Sequence, residues 1–205
     1  MRFTLVVLLI AAVEAATECP PGTTGPDSFT TFRLVPIQLR GADQLRDGSD
    51  CSGCCTCNQI AEFRFRDTQG NQIDPANVTN PGGNQLLWDN AGPGNLLDKK
   101  NTPTFIDVNI QPVVFVFSSG VSVTSYEWVT AVYGTASDMI SWRLEGKQLA
   151  TDAAWTTVHN VSNYKTTESR LTVVGPFNLC KCNPGPSDDG PCSTCPSGTY
   201  KDSYG

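Results

Sequence analysis

Hydrophobic and polar positions alternate with a period of two along the segment 137–147, SDMISWRLEGK. Ile140, Trp142 and Leu144 fall on one side of an extended chain, and Arg143 and Glu145 fall on the other. This period predicts a strand with one buried and one hydrated face. We expect Trp142 and Leu144 to be buried, and Arg143 and Glu145 to form a cross-strand polar face rather than a binding site.

Similar runs recur along the chain, separated by clusters of Gly, Pro, Asn and Asp. They predict eight strands, at 31–40, 60–67, 104–110, 112–119, 123–133, 140–146, 155–161 and 170–179. Helical periodicity is hard to find outside the leader, and the one alternative is a short helical turn at 149–155. The pattern predicts an all-β antiparallel sandwich or barrel.

Two of these segments predict finer detail. In 112–119 the apolar residues run almost unbroken from Val113 to Phe117, which predicts a strand covered on both faces. The segment 66–73, RDTQGNQI, is typical of a tight hairpin turn in which Gly70 and Asn71 supply positive φ angles.

The first fifteen residues have the pattern of a secretory signal peptide. Arg2 supplies a positive start, an apolar run follows from Leu5 to Val13, and Ala15 is a small residue at the expected cleavage position. The run is too short to span a bilayer as a helix, and no second apolar run of membrane length follows. We therefore expect a secreted or cell-surface protein without direct membrane insertion.

Charge excludes one class of partner and local sequence suggests a modification. The formal net charge is −6 with 14 basic and 20 acidic residues, so the chain has no electrostatic footprint for nucleic acid. Two triplets are acceptor sequons for N-linked glycans, at Asn77 and Asn160. These triplets predict exposed loops in an exported glycoprotein.

The nine cysteines predict disulfides rather than a metal centre. They are Cys19, Cys51, Cys54, Cys55, Cys57, Cys180, Cys182, Cys192 and Cys195. The spacing CSGCCTC is compatible with a zinc knuckle, but His159 is the one histidine of the chain and lies far from it in sequence. Sequence alone leaves the disulfide pairing open.

No catalytic motif stands out. The chain has no G-x-S-x-G elbow, no P-loop and no H-E-x-x-H, and no pair of carboxylates is singled out for acid–base work. We expect no catalytic residues and no enzyme activity.

Five segments occur in the order seen in discoidin-type domains, which are also called coagulation factor 5/8 C-terminal-like or galactose-binding-like domains. They are AEFRFRDTQGNQI, NLLDKKNTPTFIDVNIQPVVFVF, VTSYEWVTA, SWRLEGK with AAWTTV, and GPFNL. The resemblance covers residues 29–179 and implies an eight-stranded jelly-roll sandwich with its chain ends close together. It divides the chain into a signal peptide (1–15), a Cys-containing segment (16–28), the sandwich (29–179) and a cysteine-rich segment (180–205).

The resemblance also implies a structural calcium ion in the segment DKKNTPTFID. Its oxygen donors would be Asp98, Asn101 and Thr104. Lys99 and Lys100 replace the residues that tighten the loop in the family, and their charges oppose a cation unless they point away. A polar loop without an ion is the alternative.

In the same family the ligand site lies among loops at one end of the sandwich. The matching loops, 80–95 and 133–139, contain the candidate ligand residues Trp88, Tyr133 and Asp138. An aromatic face and nearby polar groups are typical of sugar binding. Trp88 covering the end of the sandwich is the alternative, and the other three tryptophans, Trp128, Trp142 and Trp155, are expected in or near the core.

The C-terminal segment carries too few apolar residues to form its own core. Residues 195–205, CPSGTYKDSYG, resemble the start of an ephrin-receptor-like cysteine-rich repeat, and residues 19–25 share its opening phrase. Close chain ends would let Cys180 or Cys182 reach the cluster at 51–57. The odd number of cysteines suggests a fragment of a longer chain or a disulfide-linked oligomer.

Two functions are consistent with these features. The first is a binding or adhesion module that recognises glycans through its loops. The second is a structural module of an extracellular fibre or surface glycoprotein, crosslinked through its cysteine-rich segments. The partners would be glycans or extracellular proteins.

Overall fold

The computed structural model describes residues 23–24, 27–41, 57–85, 90–179 and 181–182. The predicted signal peptide and all the cysteines except Cys57 and Cys182 lie outside them. The strands are β1 (Thr23–Thr24), β2 (Phe29–Leu39), β3 (Asn58–Arg66), β4 (Gln72–Ile73), β5 (Asn77–Thr79), β6 (Phe105–Asp107), β7 (Val113–Val121), β8 (Ser125–Thr130), β9 (Met139–Lys147), β10 (Thr156–Val161), β11 (Val173–Asn178) and β12 (Lys181–Cys182). Two short 3-10 helices occur, at Pro93–Leu96 and Thr135–Ser137.

The strands form two antiparallel sheets. Sheet I has the order β10-β9-β2-β7-β5, and sheet II has the order β11-β8-β3-β4, with β6 pairing to the first residues of β3. The eight strands predicted from sequence are all present, and the all-β class is confirmed. The structure adds the short strands β1, β4, β5 and β12, whose two or three residues are too few to show a period.

Aromatic rings from both sheets fill the space between them. Phe63 of sheet II stacks on Phe115 of sheet I at a centroid distance of 4.9 Å, and Trp128 meets Trp142 edge to face at 6.0 Å. Leu144 is also fully buried. The burial predicted for Trp128, Trp142 and Leu144 is therefore confirmed, and the architecture is consistent with a β-sandwich.

A chain of three polar groups crosses this aromatic core. The Trp142 indole donates a hydrogen bond to the Tyr126 hydroxyl at 2.8 Å, and that hydroxyl lies 2.8 Å from His159 Nδ1. Because the hydroxyl accepts from the indole, its own proton is free to go to Nδ1. Burial lowers the pKa of His159 to about 4 and raises the pKa of Tyr126, so both groups are neutral near pH 7.

Two predictions concern the outer face of sheet I: one about the coverage of β7 is wrong, and one about a polar face at Glu145 is confirmed. Val114 and Val116 of β7 point outward and are half-buried, so the prediction that this strand is covered on both faces is wrong. β-branched residues tolerate a half-exposed position in a central strand, and an apolar run alone does not show two-sided burial. Glu145 forms ion pairs with Arg143 and with Arg33 of the neighbouring strand, which confirms the cross-strand polar face.

Trp155 does not belong to the core cluster. It is half-buried, and the Arg33 guanidinium and the Lys147 ammonium lie 4.4 and 4.7 Å from its ring centroid. Arg33 and Lys147 are outward-facing residues of sheet I, so Trp155 packs on the outside of the sandwich. Its apolar ring covers the stems of these two side chains, and cation–π attraction holds it there.

Two predicted turns are resolved differently from expectation. In the hairpin after β3 only Gly70 has a positive φ, of 79°, and Asn71 does not. The Asp67 carboxylate accepts hydrogen bonds from the Gln69 and Asn71 amides instead, at 2.9 and 2.8 Å. The segment 149–155 forms a turn closed by Asp152 rather than a helical turn.

The segments that flank the sandwich meet each other. Thr23 and Thr24 pair with Cys182 and Lys181 in a two-stranded antiparallel ribbon. Cys57 immediately precedes β3, whereas the Leu179 amide donates a hydrogen bond to the Thr124 carbonyl beside the last residues of β3. β3 therefore separates Cys57 from Leu179 by about 25 Å, and the disulfide pairing stays a prediction.

No helix among the described residues is long and apolar enough to cross a membrane.

Candidate functional site

The loop 131–138 joins β8 of sheet II to β9 of sheet I and carries the most exposed aromatic side chain of the described residues. Tyr133 has 74% of its surface exposed. Gly134 follows it with a φ of +76°, and the Thr135–Ser137 helix turns the chain back toward the sandwich. The φ favours glycine there, and a Cβ at position 134 would also press on the Ser137 hydroxyl and the Gln59 amide at 3.2 and 3.3 Å.

Asp138, the second predicted ligand residue, is not available to a ligand. Its side chain is fully buried, and Arg170 donates to both of its oxygens, at 2.9 and 2.6 Å. Arg40 lies 3.3 Å away on the other side. Desolvation raises the pKa of Asp138, and the two guanidinium groups oppose that rise. Asp138 is therefore a buried anchor of the loop rather than a contact residue, which corrects its predicted role.

The third predicted ligand residue, Trp88, lies outside the described residues. The described parts of its loop, 80–85 and 90–95, are each tied to the β6 strand: the Asn84 amide donates to Asp107, and the Ala91 carbonyl accepts from the Ile106 amide at 3.1 Å. The buried Asp107 carboxylate accepts hydrogen bonds from the backbone amides of Asn84, Asn109 and Gln111, at 2.8, 3.0 and 2.6 Å. A carboxylate that accepts three amide hydrogen bonds is fully satisfied, so this arrangement is a structural clamp.

Both loops leave the sandwich at the same end. Asn58, the first residue of β3, pairs with Asp107, and the Gln59 side chain lies 3.3 Å from the Ser137 hydroxyl. The start of β3 therefore lies between the clamp of the 80–95 loop and the base of the Tyr133 loop. We call this region the β3-start end of the sandwich. It brings together the two loops in which the sequence predicted ligand contacts.

A second site, which the sequence analysis missed, lies on the outer side of sheet II. Phe63 and Phe65 point into the core, so Glu62 and Arg64 point outward, yet Glu62 is fully buried. The 3-10 helix Pro93–Leu96 contacts β3 and places Leu96 in the core cluster, and the segment that follows it brings Asp98 and Lys100 beside Glu62. Neither carboxylate oxygen of Glu62 has a hydrogen-bond partner of ordinary geometry among the described residues.

Glu62 adjoins the first of the predicted calcium ligands. Burial is the largest cause that raises its pKa, the neighbouring Asp98 carboxyl is the next, and the Arg64 charge opposes them, which together bring the pKa to about 7. The fully buried Glu62 carboxyl adjoins the half-buried Asp98 carboxyl and the Lys100 amide, but its oxygens make no hydrogen bond of ordinary geometry to the described residues. A cation between the two carboxyl groups would neutralise their charge.

The residues near this pair fit a hard cation in part. Lys99, whose charge opposed an ion in the sequence analysis, reaches away and pairs with Asp74 at 2.7 Å. Asn101 is exposed, Thr104 is half-buried, and Asp98 accepts a hydrogen bond from the Lys100 amide at 2.8 Å. Within the described ranges no group of three or more His, Cys, Asp or Glu side chains is placed to hold a metal. Glu62 and Asp98 would thus be the charged ligands, completed by neutral oxygens.

The remaining predicted site residues are the cysteines and the sequon asparagines. Cys57 is buried beside Gln59 and Ser137, with its sulfur 3.2 and 3.8 Å from their polar atoms. Cys182 is described only as part of β12, and the other cysteines lie outside the described residues. Asn77 and Asn160 are both exposed, but each lies in a strand rather than in the loop that the sequence predicted.

Comparisons with known proteins add no family assignment. No protein-family model matches the chain, and neither curated proteins nor solved structures give a significant match. The resemblance to discoidin-type domains therefore stays a prediction.

Proposed function

We propose that this chain is a secreted or cell-surface, non-catalytic binding or adhesion module, built as a discoidin-type jelly roll, that recognises glycans through the loops of the β3-start end. The single observation that carries the proposal is the exposed Tyr133 ring on a loop that is otherwise firmly anchored. An exposed aromatic ring offers a sugar an apolar face and a polar hydroxyl at little entropic cost.

The anchoring of this loop supports binding rather than an incidental exposed side chain. The Asp138–Arg170–Arg40 cluster and the left-handed Gly134 hold the backbone on both sides of the Thr135–Ser137 helix. A loop held in this way loses little conformational entropy when a ligand docks, which favours affinity. The clamp at Asp107 has the same effect on the neighbouring loop, where the sequence predicts Trp88 as a second aromatic contact.

A glycan array and sugar-affinity columns test the proposal directly. With the best sugar identified, Tyr133→Ala should weaken binding about tenfold, which is equivalent to roughly 1.4 kcal/mol. Tyr133→Phe should retain most of the affinity, because the ring face is kept, and Trp88→Ala tests the second aromatic. Leu149→Ala, another exposed large residue in a different loop, is the matched control. Absence of any retained sugar, or unchanged binding by Tyr133→Ala, would contradict the proposal.

We also propose that the Glu62–Asp98 pair holds one structural calcium ion beneath the 97–104 segment. The bound ion would supply positive charge that neutralises the two carboxylates, and the observation that supports it is the close approach of Asp98 to the buried Glu62 carboxyl, whose oxygens make no hydrogen bond of ordinary geometry to the described residues. The residues that would hold it are Glu62 and Asp98, with Asn101 and Thr104 as the predicted neutral donors.

Thermal unfolding with and without calcium tests this ion. A ligand that binds the folded state raises the unfolding midpoint in proportion to the logarithm of its concentration. Calcium should raise the midpoint of the wild type over that in a chelator, and Glu62→Gln and Asp98→Asn should each abolish the rise. Asp74→Asn, which alters a carboxylate bound to Lys99 in the same region, should keep it. An equal midpoint with calcium and with chelator would refute the site.

The structural-assembly function stays as an alternative, and one observation favours it. The ribbon of β1 and β12 places the two flanking segments side by side, so the Cys-containing N-terminal segment and the cysteine-rich C-terminal segment would extend from one place. This arrangement suits crosslinking between chains. Non-reducing electrophoresis with light scattering should then show disulfide-linked oligomers, whereas a monomer would disfavour this alternative without affecting sugar binding.

A further inference from the structure

Both sequon asparagines lie on the same face of the same sheet. Asn77 is in β5 and Asn160 is in β10, and these are the two edge strands of sheet I. Their neighbours Val78 and His159 point toward the core, so both asparagine side chains point outward, and both are exposed. Nothing in the sequence alone relates the two positions, which are more than eighty residues apart.

The strand register fixes where they lie relative to each other. Asn77 pairs with Val116, which pairs with Thr31 of the central strand, and Asn160 is linked in the same way through Arg143 to Val35. Five strands span about 19 Å, and four residues along β2 span about 13 Å. The two asparagines therefore mark opposite corners of the outer face of sheet I.

The face between these corners is partly apolar. Val35, Val114 and Val116 are half-buried, and Ile37 has 55% of its surface exposed. The Arg33–Glu145 ion pair lies at the centre. Exposed apolar area on a sheet, together with two open edge strands, is a template for association with other chains unless it is covered or blocked.

We propose that Asn77 and Asn160 both carry N-linked glycans, and that these two glycans cover the outer face of sheet I and block its edges. The inference rests on the proposed export of the chain. A glycan is bulky and strongly hydrated, and two of them at opposite corners keep partners from this face. Ligand contacts are then confined to the β3-start end.

Expression in a glycosylating secretory host provides the test. Thr79→Ala and Ser162→Ala each remove one acceptor sequon and leave the asparagine in place. Intact mass should show two glycans on the wild type, one on each single variant and none on the double variant. Labelling of lysine amines should then show a several-fold faster reaction of Lys147, which lies on the covered face, in the double variant. Lys99, which lies near sheet II and pairs with Asp74, is the control and should react at the same rate.

The outcomes separate this inference from the proposed function. An exported chain with either asparagine unmodified, or equal labelling of Lys147 in wild type and double variant, overturns the glycan cover and leaves the sugar-binding proposal intact. A chain that stays in the cytosol overturns the proposed export, and the cover with it.

Discussion

Two ionisable side chains of this protein, His159 and Glu62, are both buried but differ in their hydrogen bonding. His159 lies between the sheets, and its Nδ1 meets the Tyr126 hydroxyl, so the ring is neutral and its acceptor nitrogen is satisfied. Glu62 lies outside sheet II under a loop, beside the Asp98 carboxyl and the Lys100 amide, and its oxygens make no hydrogen bond of ordinary geometry to the described residues. The pKa of the histidine is lowered to about 4 and that of the glutamate is raised to about 7.

This difference distinguishes a polar group that serves the packing of the core from one that belongs to a candidate ligand site. A polar group that finds a partner inside the core specifies the packing and needs nothing further. A buried carboxyl without a partner costs free energy in the folded state, and a protein retains it most readily where a ligand offsets that cost. His159 is therefore assigned to the core, and Glu62 to the candidate ion site.

The substitution Tyr126→Phe tests this comparison with the largest expected change in stability. The change removes the hydroxyl that serves both the Trp142 indole and His159, and leaves two buried polar groups unsatisfied. We expect a loss of about 2–4 kcal/mol in the free energy of unfolding, measured by chemical denaturation. Tyr164→Phe is the control, because it keeps the ring that packs on Trp142, and it should change stability little. A loss as small as that of the control would show that the polar chain contributes little.

The pH dependence of the free energy of unfolding is the second test of the difference between His159 and Glu62. The unfolded chain protonates His159 near pH 6.5, whereas the folded protein does so only near pH 4. Stability from this group is therefore full above pH 6.5 and is lost as the pH falls to 4, by up to about 3 kcal/mol. Glu62 acts in the opposite direction, because its raised pKa means that stability falls as the pH rises toward 7.

The His159 contribution is isolated by comparison with His159→Gln, which keeps an acceptor for Tyr126 but does not titrate. The difference in unfolding free energy between wild type and variant should shrink or reverse between pH 6.5 and 4. A difference that stays constant with pH would show that the histidine is not kept neutral by burial.

The smallest expected effect is a gain in stability from Glu62→Gln. At pH 8 with a chelator, the variant should be about 1–2 kcal/mol more stable than wild type, because an unpartnered buried carboxylate becomes a neutral amide. Glu127→Gln on the same face is the matched control. Arg64 and Arg66 contact the Glu127 carboxylate at 3.3 and 2.8 Å, so its loss should destabilise the protein instead. Equal signs for the two variants would refute the contrast between a satisfied and an unsatisfied carboxylate.

The strands were predictable because their signal is local. Alternation around Trp142 and Phe63 marks the core face directly, and turn residues bound each run. The same reasoning failed for Val114 and Val116, since an apolar run does not tell whether anything covers its second face. Asn77 and Asn160 are similar cases, because a sequon indicates exposure but not whether the residue lies in a loop or a strand.

The candidate sites were less predictable because they depend on contacts between distant segments. In sequence, Asp138 has the pattern of a ligand residue in a loop. Its burial depends on ion pairs with Arg40 and Arg170, which lie far from it in sequence. Glu62 sits in a strand beside a register shift at Ile60–Glu62. The loop that covers it comes more than thirty residues later, so no local pattern marks it. Tyr133 was predicted from the loop that the family resemblance matches; the structure adds its exposure, and its ligand role stays a prediction.

The antiparallel ribbon formed by Thr23–Thr24 and Lys181–Cys182 has a mechanical consequence. A pull applied through the flanking segments acts at one end of that ribbon, so its hydrogen bonds open one after another under low force, like a zipper. The two sheets carry no shear load until the ribbon has opened. Until then the sandwich lies outside the path of the applied force and keeps its fold while the flanking segments are stretched.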